Sequence, residues 1–133
     1  ISLQNCDSTL IQNSDLSDAA FGVSSNQARR LWVRNNTISG TSSRGVSVST
    51  GSDIRVLNNN FSNNGTAIHF STISPGNIRR GLLVQDNSFN GGSYALDIAS
   101  TPNQIISDGS FPGTNIILGT NDLTTFTLYP ISL

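Results

Sequence analysis

Five times along this chain a short apolar stretch runs into an Asn- or Asp-rich turn and then into one large apolar residue. The copies read LIQNSDLS, WVRNNTIS, RVLNNNFS, LVQDNSFN and IISDGSFP. Their closing residues, Leu16, Ile38, Phe61, Phe89 and Phe111, are separated by 22, 23, 28 and 22 positions. A period in this range belongs to a solenoid, in which each repeat buries its face only against its neighbours. The repeat therefore constrains architecture strongly and function weakly.

Each repeat reads as one coil with two main strands. In the first strand, alternation turns Ile11, Val33, Val56, Val84 and Ile106 inward, with Leu31, Ile54 and Leu82 as inward partners. In the second, the inward pairs are Phe21/Val23, Val46/Val48, Ile68/Phe70, Leu96/Ile98 and Ile116/Leu118. Rungs stacked at about 4.8 Å place like on like, giving aliphatic and aromatic ladders. The turns follow from the same geometry. A sharply bending strand needs residues that tolerate left-handed dihedrals, and Asn does so readily. Asn36, Asn59 and Asn87 share one stacked position, where their amides can bond to one another and to turn backbone; Ser14 and Gly109 replace them at the ends.

Composition supports strands over helices. The chain has no Lys, Glu or Met; its eight acids are all Asp and its seven bases all Arg. Ser, Thr and Asn carry the remaining polarity, and these short side chains favour turns over helix interiors. A formal net charge of −1 gives no electrostatic case for nucleic acid or an anionic membrane. No apolar run approaches the roughly 18 residues of a membrane helix, so membrane insertion is not expected. The single cysteine, Cys6, excludes an internal disulfide framework and a multi-Cys metal site. Neither cofactor nor metal is implied, because Asp53, Asp86 and Asp108 fall one per coil.

The pattern apolar-x-apolar-x-Asn-Asn-x-Ile/Phe, followed by Gly/Ala-apolar-x-apolar, resembles the right-handed parallel β-helix repeat of the pectate-lyase-like superfamily. The resemblance covers roughly residues 10–118. It implies an all-β, right-handed parallel β-helix of about five coils over 1–118, with residues 119–133 as a final strand and cap or the entry to a further coil. The opening Ile1-Ser2-Leu3 matches an interior strand, so the expectation is a piece of a longer β-helix. That superfamily holds lyases, glycoside hydrolases, epimerases, tailspikes and adhesins, so fold alone does not choose an activity.

Three groups of residues carry candidate chemistry. Alternation exposes Gly22, Ser47, His69, Asp97 and Ile117 on one ladder of the second strand. Ser47, His69 and Asp97 form an acid–base candidate in which Asp97 orients His69; the competing reading is a polar pair that simply covers a sheet. Arg29-Arg30 and Arg79-Arg80 precede first strands and suit carboxylate or sulfate binding. The resemblance implies that a lyase of this superfamily would use an Arg or Lys base, often beside calcium-holding Asp residues. A hydrolase would gather several carboxylates, and Asp97 has no acidic neighbour on its ladder. The third group is an apolar stripe facing outward: Leu10, Trp32, Leu83 and Ile105, with Arg55 on the same ladder and Leu57 on the adjoining one. Stacked apolar groups on an outer face imply a covered surface. A sugar stacking on Trp32, a neighbouring subunit in a lateral homotrimer, or other parts of a longer chain would each cover it.

The segment Ser71–Arg80 lengthens the widest spacing, and insertions of this kind often mark a binding face. The glycosylation pattern Asn-x-Ser/Thr occurs at Asn35, Asn60 and Asn64. The sequence is best read as a non-catalytic β-helix module of an extracellular surface or fibre protein, of phage-tail or adhesin type, on a cell or virion surface. It would present a face to polysaccharide, cell-surface glycan or partner subunits. The alternative is a polysaccharide-degrading enzyme, a lyase before a glycoside hydrolase.

Overall fold

The computed structural model describes residues 1–71, 82–98, 105–106 and 116–118. Its strands are β1 (Ser2–Gln4), β2 (Asp7–Gln12), β3 (Asp15–Ser17), β4 (Phe21–Asn26), β5 (Ala28–Arg34), β6 (Thr37–Ser39) and β7 (Arg44–Val48). They continue as β8 (Gly51–Leu57), β9 (Asn60–Phe70), β10 (Leu82–Gln85), β11 (Ser88–Ile98), β12 (Ile105–Ile106) and β13 (Ile116–Leu118). Among the described residues every pairing is parallel, and those of β1 to β11 link one coil to the next. One sheet stacks the first strands β2, β5, β8 and β10. The other stacks a short arm (β3, β6) and the second strands (β1, β4, β7), and both parts merge in the continuous β9 and β11. The architecture is a parallel β-helix.

The core is a set of ladders, as the alternation predicts. Ile11, Val33, Val56 and Val84 form one, Leu31 and Ile54 a second, and Val23, Val46, Ile68 and Leu96 a third, all buried. The repeat's closing residues Ile38, Phe61 and Phe89 stack behind the turn, with the two Phe rings 5.2 Å apart and 8° from parallel. Burying each such side chain stabilises the fold by about 1.5–3 kcal/mol relative to exposure. For Leu82, Ile98, Ile106, Ile116 and Leu118 only the backbone is described.

The asparagine turns divide two tasks between adjacent residues. The left-handed dihedral falls on the residue before the ladder: Asn13, Asn35, Asn58 and Asp86 have φ of 53–55°. The ladder residues Asn36, Asn59 and Asn87 are buried and do the bonding. Asn59 Oδ1 accepts from the Asn36 backbone N–H and Nδ2, each at 3.0 Å. Asn87 Oδ1 does the same for Asn59, at 2.9 and 3.0 Å. Each Nδ2 also donates to a carbonyl one coil back: Asn36 to Ile11, Asn59 to Val33 and Asn87 to Val56. Ser14 ends the ladder by donating its N–H to Asn36 Oδ1.

A second ladder was not expected. Buried Asn64 accepts from the Thr41 N–H and hydroxyl and donates to the Ile38 carbonyl. Its amide is therefore committed inside the fold, whereas Asn35 and Asn60 are exposed.

Two expectations are corrected. Phe21 does not point inward: it is 37% exposed and stacks in register with Arg44, Thr66 and Tyr94. The sheet turns a corner here. Gly22, Gly45, Ala67 and Ala95 are buried, and so are the next residues Val23, Val46, Ile68 and Leu96, so alternation breaks and the preceding position swings out. Only small residues fit the corner: a Cβ on Gly45 would lie 2.6 Å from the Ala67 carbonyl oxygen and 3.0 Å from Phe61 Cδ1. Secondly, β13 rather than β12 stacks on β10, pairing Leu82 with Ile116 and Leu83 with Ile117; β12 then pairs with β13. Ile116–Leu118 is thus a first-strand rung, not a second strand. Three consecutive apolar residues match Leu82-Leu83-Val84, where Ile105-Ile106 supplies two. Residues 119–133 lie outside the described residues.

Candidate functional site

The outer face of the first-strand sheet carries a groove of about 230 Å³ lined by Ser8, Thr9, Leu10, Arg30, Trp32 and Asp53. Its floor comes from the expected stripe. Leu10, Trp32, Arg55 and Leu83 stand in register on successive rungs, continued by Ile117 rather than Ile105. Leu10 is 45% exposed, and Trp32 and Leu83 are half-buried. Leu57 lies on the adjoining ladder with Gln12, Arg34 and Gln85.

The rim is set by backbone shape. Ser8, Arg30 and Asp53 hold positive φ of 58°, 51° and 52° at equivalent positions of three coils. This left-handed step bends each first strand, and all three residues line the groove. Sequence reading found Arg30 and Trp32 but missed Ser8, Thr9 and Asp53. No residue-type signal marks them, because one backbone conformation is filled by Ser, Arg and Asp in turn.

Four of the charges at this face form two pairs. Arg30 Nε donates to Asp7 Oδ1 at 2.8 Å, and Arg55 Nε to Asp53 Oδ1 at 3.0 Å. The hydrogen bond from Arg30 holds the Asp7 carboxyl below its ordinary range, with the Arg30 charge adding to the effect. The Arg55 guanidinium lies over the Trp32 ring, 4.6 Å from its centroid, a cation–π contact that fixes the indole. Arg34 reaches across one rung to Gln12, 3.0 Å away. Arg29 is exposed beside the groove without lining it. Arg79 and Arg80 lie outside the described residues.

The acid–base candidates sit on the other sheet. Ser47, His69 and Asp97 are in register on three successive rungs, preceded by Ser24 where Gly22 was expected. The register sets Gly22 opposite Gly45 at the corner, two residues from the expected alignment, which brings Ser24 beside Ser47. His69 Nδ1 lies 2.8 Å from Asp97 Oδ2. Its Nε2 meets Ser71 Oγ at 3.1 Å, and no hydrogen bond joins it to Ser47. His69 and Ser47 are only 5% and 4% exposed. A hydroxyl, an imidazole and a carboxylate in that order can activate a nucleophile. The Ser71 N–H donates to the Val48 carbonyl and so belongs to the backbone ladder. The imidazole instead has both nitrogens satisfied in a covered position, as a structural polar cluster requires.

Among the described residues no three His, Cys, Asp or Glu side chains gather to hold a metal ion. Cys6 is half-buried and packs against the core.

The stacked parallel rungs and asparagine turns agree with a family comparison. The family model described as a right handed beta helix region matches residues 1–122. The chain belongs to the right-handed β-helix family. No curated protein and no solved structure is similar enough to match. Membership in this family gives the β-helix its hand and repeat; the chemistry must be read from the outer faces.

Proposed function

We propose that this β-helix is a non-catalytic glycan-binding module of an extracellular surface or fibre protein, and that the Trp32 groove is its binding site. The observation that carries this reading is the groove itself. An indole and a leucine form an apolar floor, and Ser8, Thr9, Arg30 and Asp53 complete the lining. Pyranose rings present C–H faces that pack on aromatic surface and hydroxyls that bond to such a rim. The site is fixed in advance, since the rim stands on sheet backbone and the indole is held by Arg55.

The arginines of the groove are engaged by Asp7 and Asp53 rather than standing free as bases beside an acidic cluster. This favours binding over the lyase reading. Affinity electrophoresis through gels containing a panel of polysaccharides tests the proposal. At least one polymer should retard the wild-type protein, and Trp32→Ala should migrate freely while keeping its melting temperature. Equal retardation of both proteins would remove the groove from the account.

A further inference from the structure

We infer that the groove selects an uncharged sugar ring and seats it on the Leu10 side of Trp32, with Arg55 as a positioning residue behind the indole. This rests on the glycan reading above and adds the ligand's charge class and its seat.

The seat follows from the rung order. Leu10, Trp32 and Arg55 occupy three successive rungs of one ladder. Arg55 covers the indole from its own rung. The surface left to a ligand is therefore on the Leu10 side, and Ser8, Thr9 and Leu10, all from that rung, supply half of the lining. A sugar placed there packs over a floor formed by the indole and, on the adjacent rung, a 45% exposed leucine.

The charge class follows from pairing. The two charged lining residues are Arg30 and Asp53, and each already holds an opposite charge: Asp7 for Arg30, Arg55 for Asp53. A uronate or sulfate would share Arg30 with the Asp7 carboxylate and approach the Asp53 carboxylate, meeting negative charge on both sides. Sugar hydroxyls carry no charge to be repelled. They can accept from guanidinium N–H groups that Asp7 leaves free and donate to the second oxygen of Asp53, while Ser8 offers a hydroxyl that donates or accepts. Paired charges also stay fixed when a neutral ligand arrives, so its binding carries little salt dependence.

Trp32 is the only tryptophan in the chain, so its emission reports this groove directly. The test is a fluorescence titration with neutral hexose oligosaccharides of gluco, galacto and manno configuration, and with oligogalacturonate, each at low and high NaCl. A saturable shift with at least one neutral series, unchanged by salt, and no shift with oligogalacturonate, is the expected result. Arg55→Ala should weaken neutral binding about tenfold, leave the melting temperature unchanged, and lower the anisotropy of ligand-free Trp32 as the indole is released. Arg55→Lys, which keeps the charge but not the planar stack, should still lose several-fold. Tighter binding of oligogalacturonate, fading with salt, would overturn the inference while leaving the glycan reading intact. Silence from every sugar would bring down both. Full affinity in both Arg55 variants would remove the positioning role.

Discussion

Replacing Asn59 by Leu should damage this fold more than any exposed substitution, and the structure says how much. The Asn59 side chain takes part in four buried hydrogen bonds. Leucine is close in size and apolar, so the change deletes the bonds with little change in volume. Four groups lose a partner: the Asn36 backbone N–H, the Asn36 amide, which keeps Ile11, the Val33 carbonyl, and Asn87 Oδ1. Asn87 Oδ1 still accepts from the Asn59 N–H. A fully orphaned buried donor costs about 1–3 kcal/mol, and each further lost bond about 0.5–1.5 kcal/mol. The sum is about 2.5–7.5 kcal/mol, a large share of the stability of a domain this size. Urea unfolding followed by far-UV circular dichroism would measure it, with Gln4→Leu on an exposed strand as the control. A loss no greater than that of the control would mean that the asparagine ladder is not what holds the turns.

Three further outcomes are expected. Gly45→Ala should cost about 1–3 kcal/mol in the same urea assay, because the new Cβ meets a backbone carbonyl that cannot turn aside, while Ala67→Gly in the same ladder should cost under about 1 kcal/mol. Asp7 has a lowered folded-state pKa, so its pairing with Arg30 contributes stability above the ordinary Asp value and loses it as pH falls through the lower folded value. Carboxyl NMR should place the Asp7 midpoint below about 3.9, rising toward it in Arg30→Gln; an unshifted midpoint would break the pairing at the groove rim. Asp97→Ala should lower stability by about 1–2 kcal/mol by leaving buried His69 short of a partner, yet keep glycan retardation, because the groove lies on the other sheet. Loss of retardation without loss of stability would point to the His69 cluster as the working site.

The β-helix was legible because its determinants are periodic. Val33 over Val56 over Val84, and Asn36 over Asn59 over Asn87, are visible as repeats of residue type, and the structure stacks them in that order. What was not legible is where the backbone leaves the regular pattern. Alternation predicted Phe21 inside, but two consecutive inward positions at the Gly22 corner turn it out. The groove rim failed to show for the same reason, since Ser8, Arg30 and Asp53 share a dihedral rather than a chemistry. His69 and Asp97 were visible as ladder neighbours, but their third partner proved to be Ser71 rather than Ser47, because the strand ends at Phe70 and Ser71 follows at its edge.

Binding without cleavage is the central claim, and one chromatographic measurement tests both halves of it. The protein is incubated for hours with a polysaccharide that retards it in the gel assay, and the mixture is separated by size with light-scattering detection. The account predicts protein co-eluting with a polymer of unchanged length. Shortened polymer would make the β-helix an enzyme, and protein eluting apart from intact polymer would leave the Trp32 groove without its ligand.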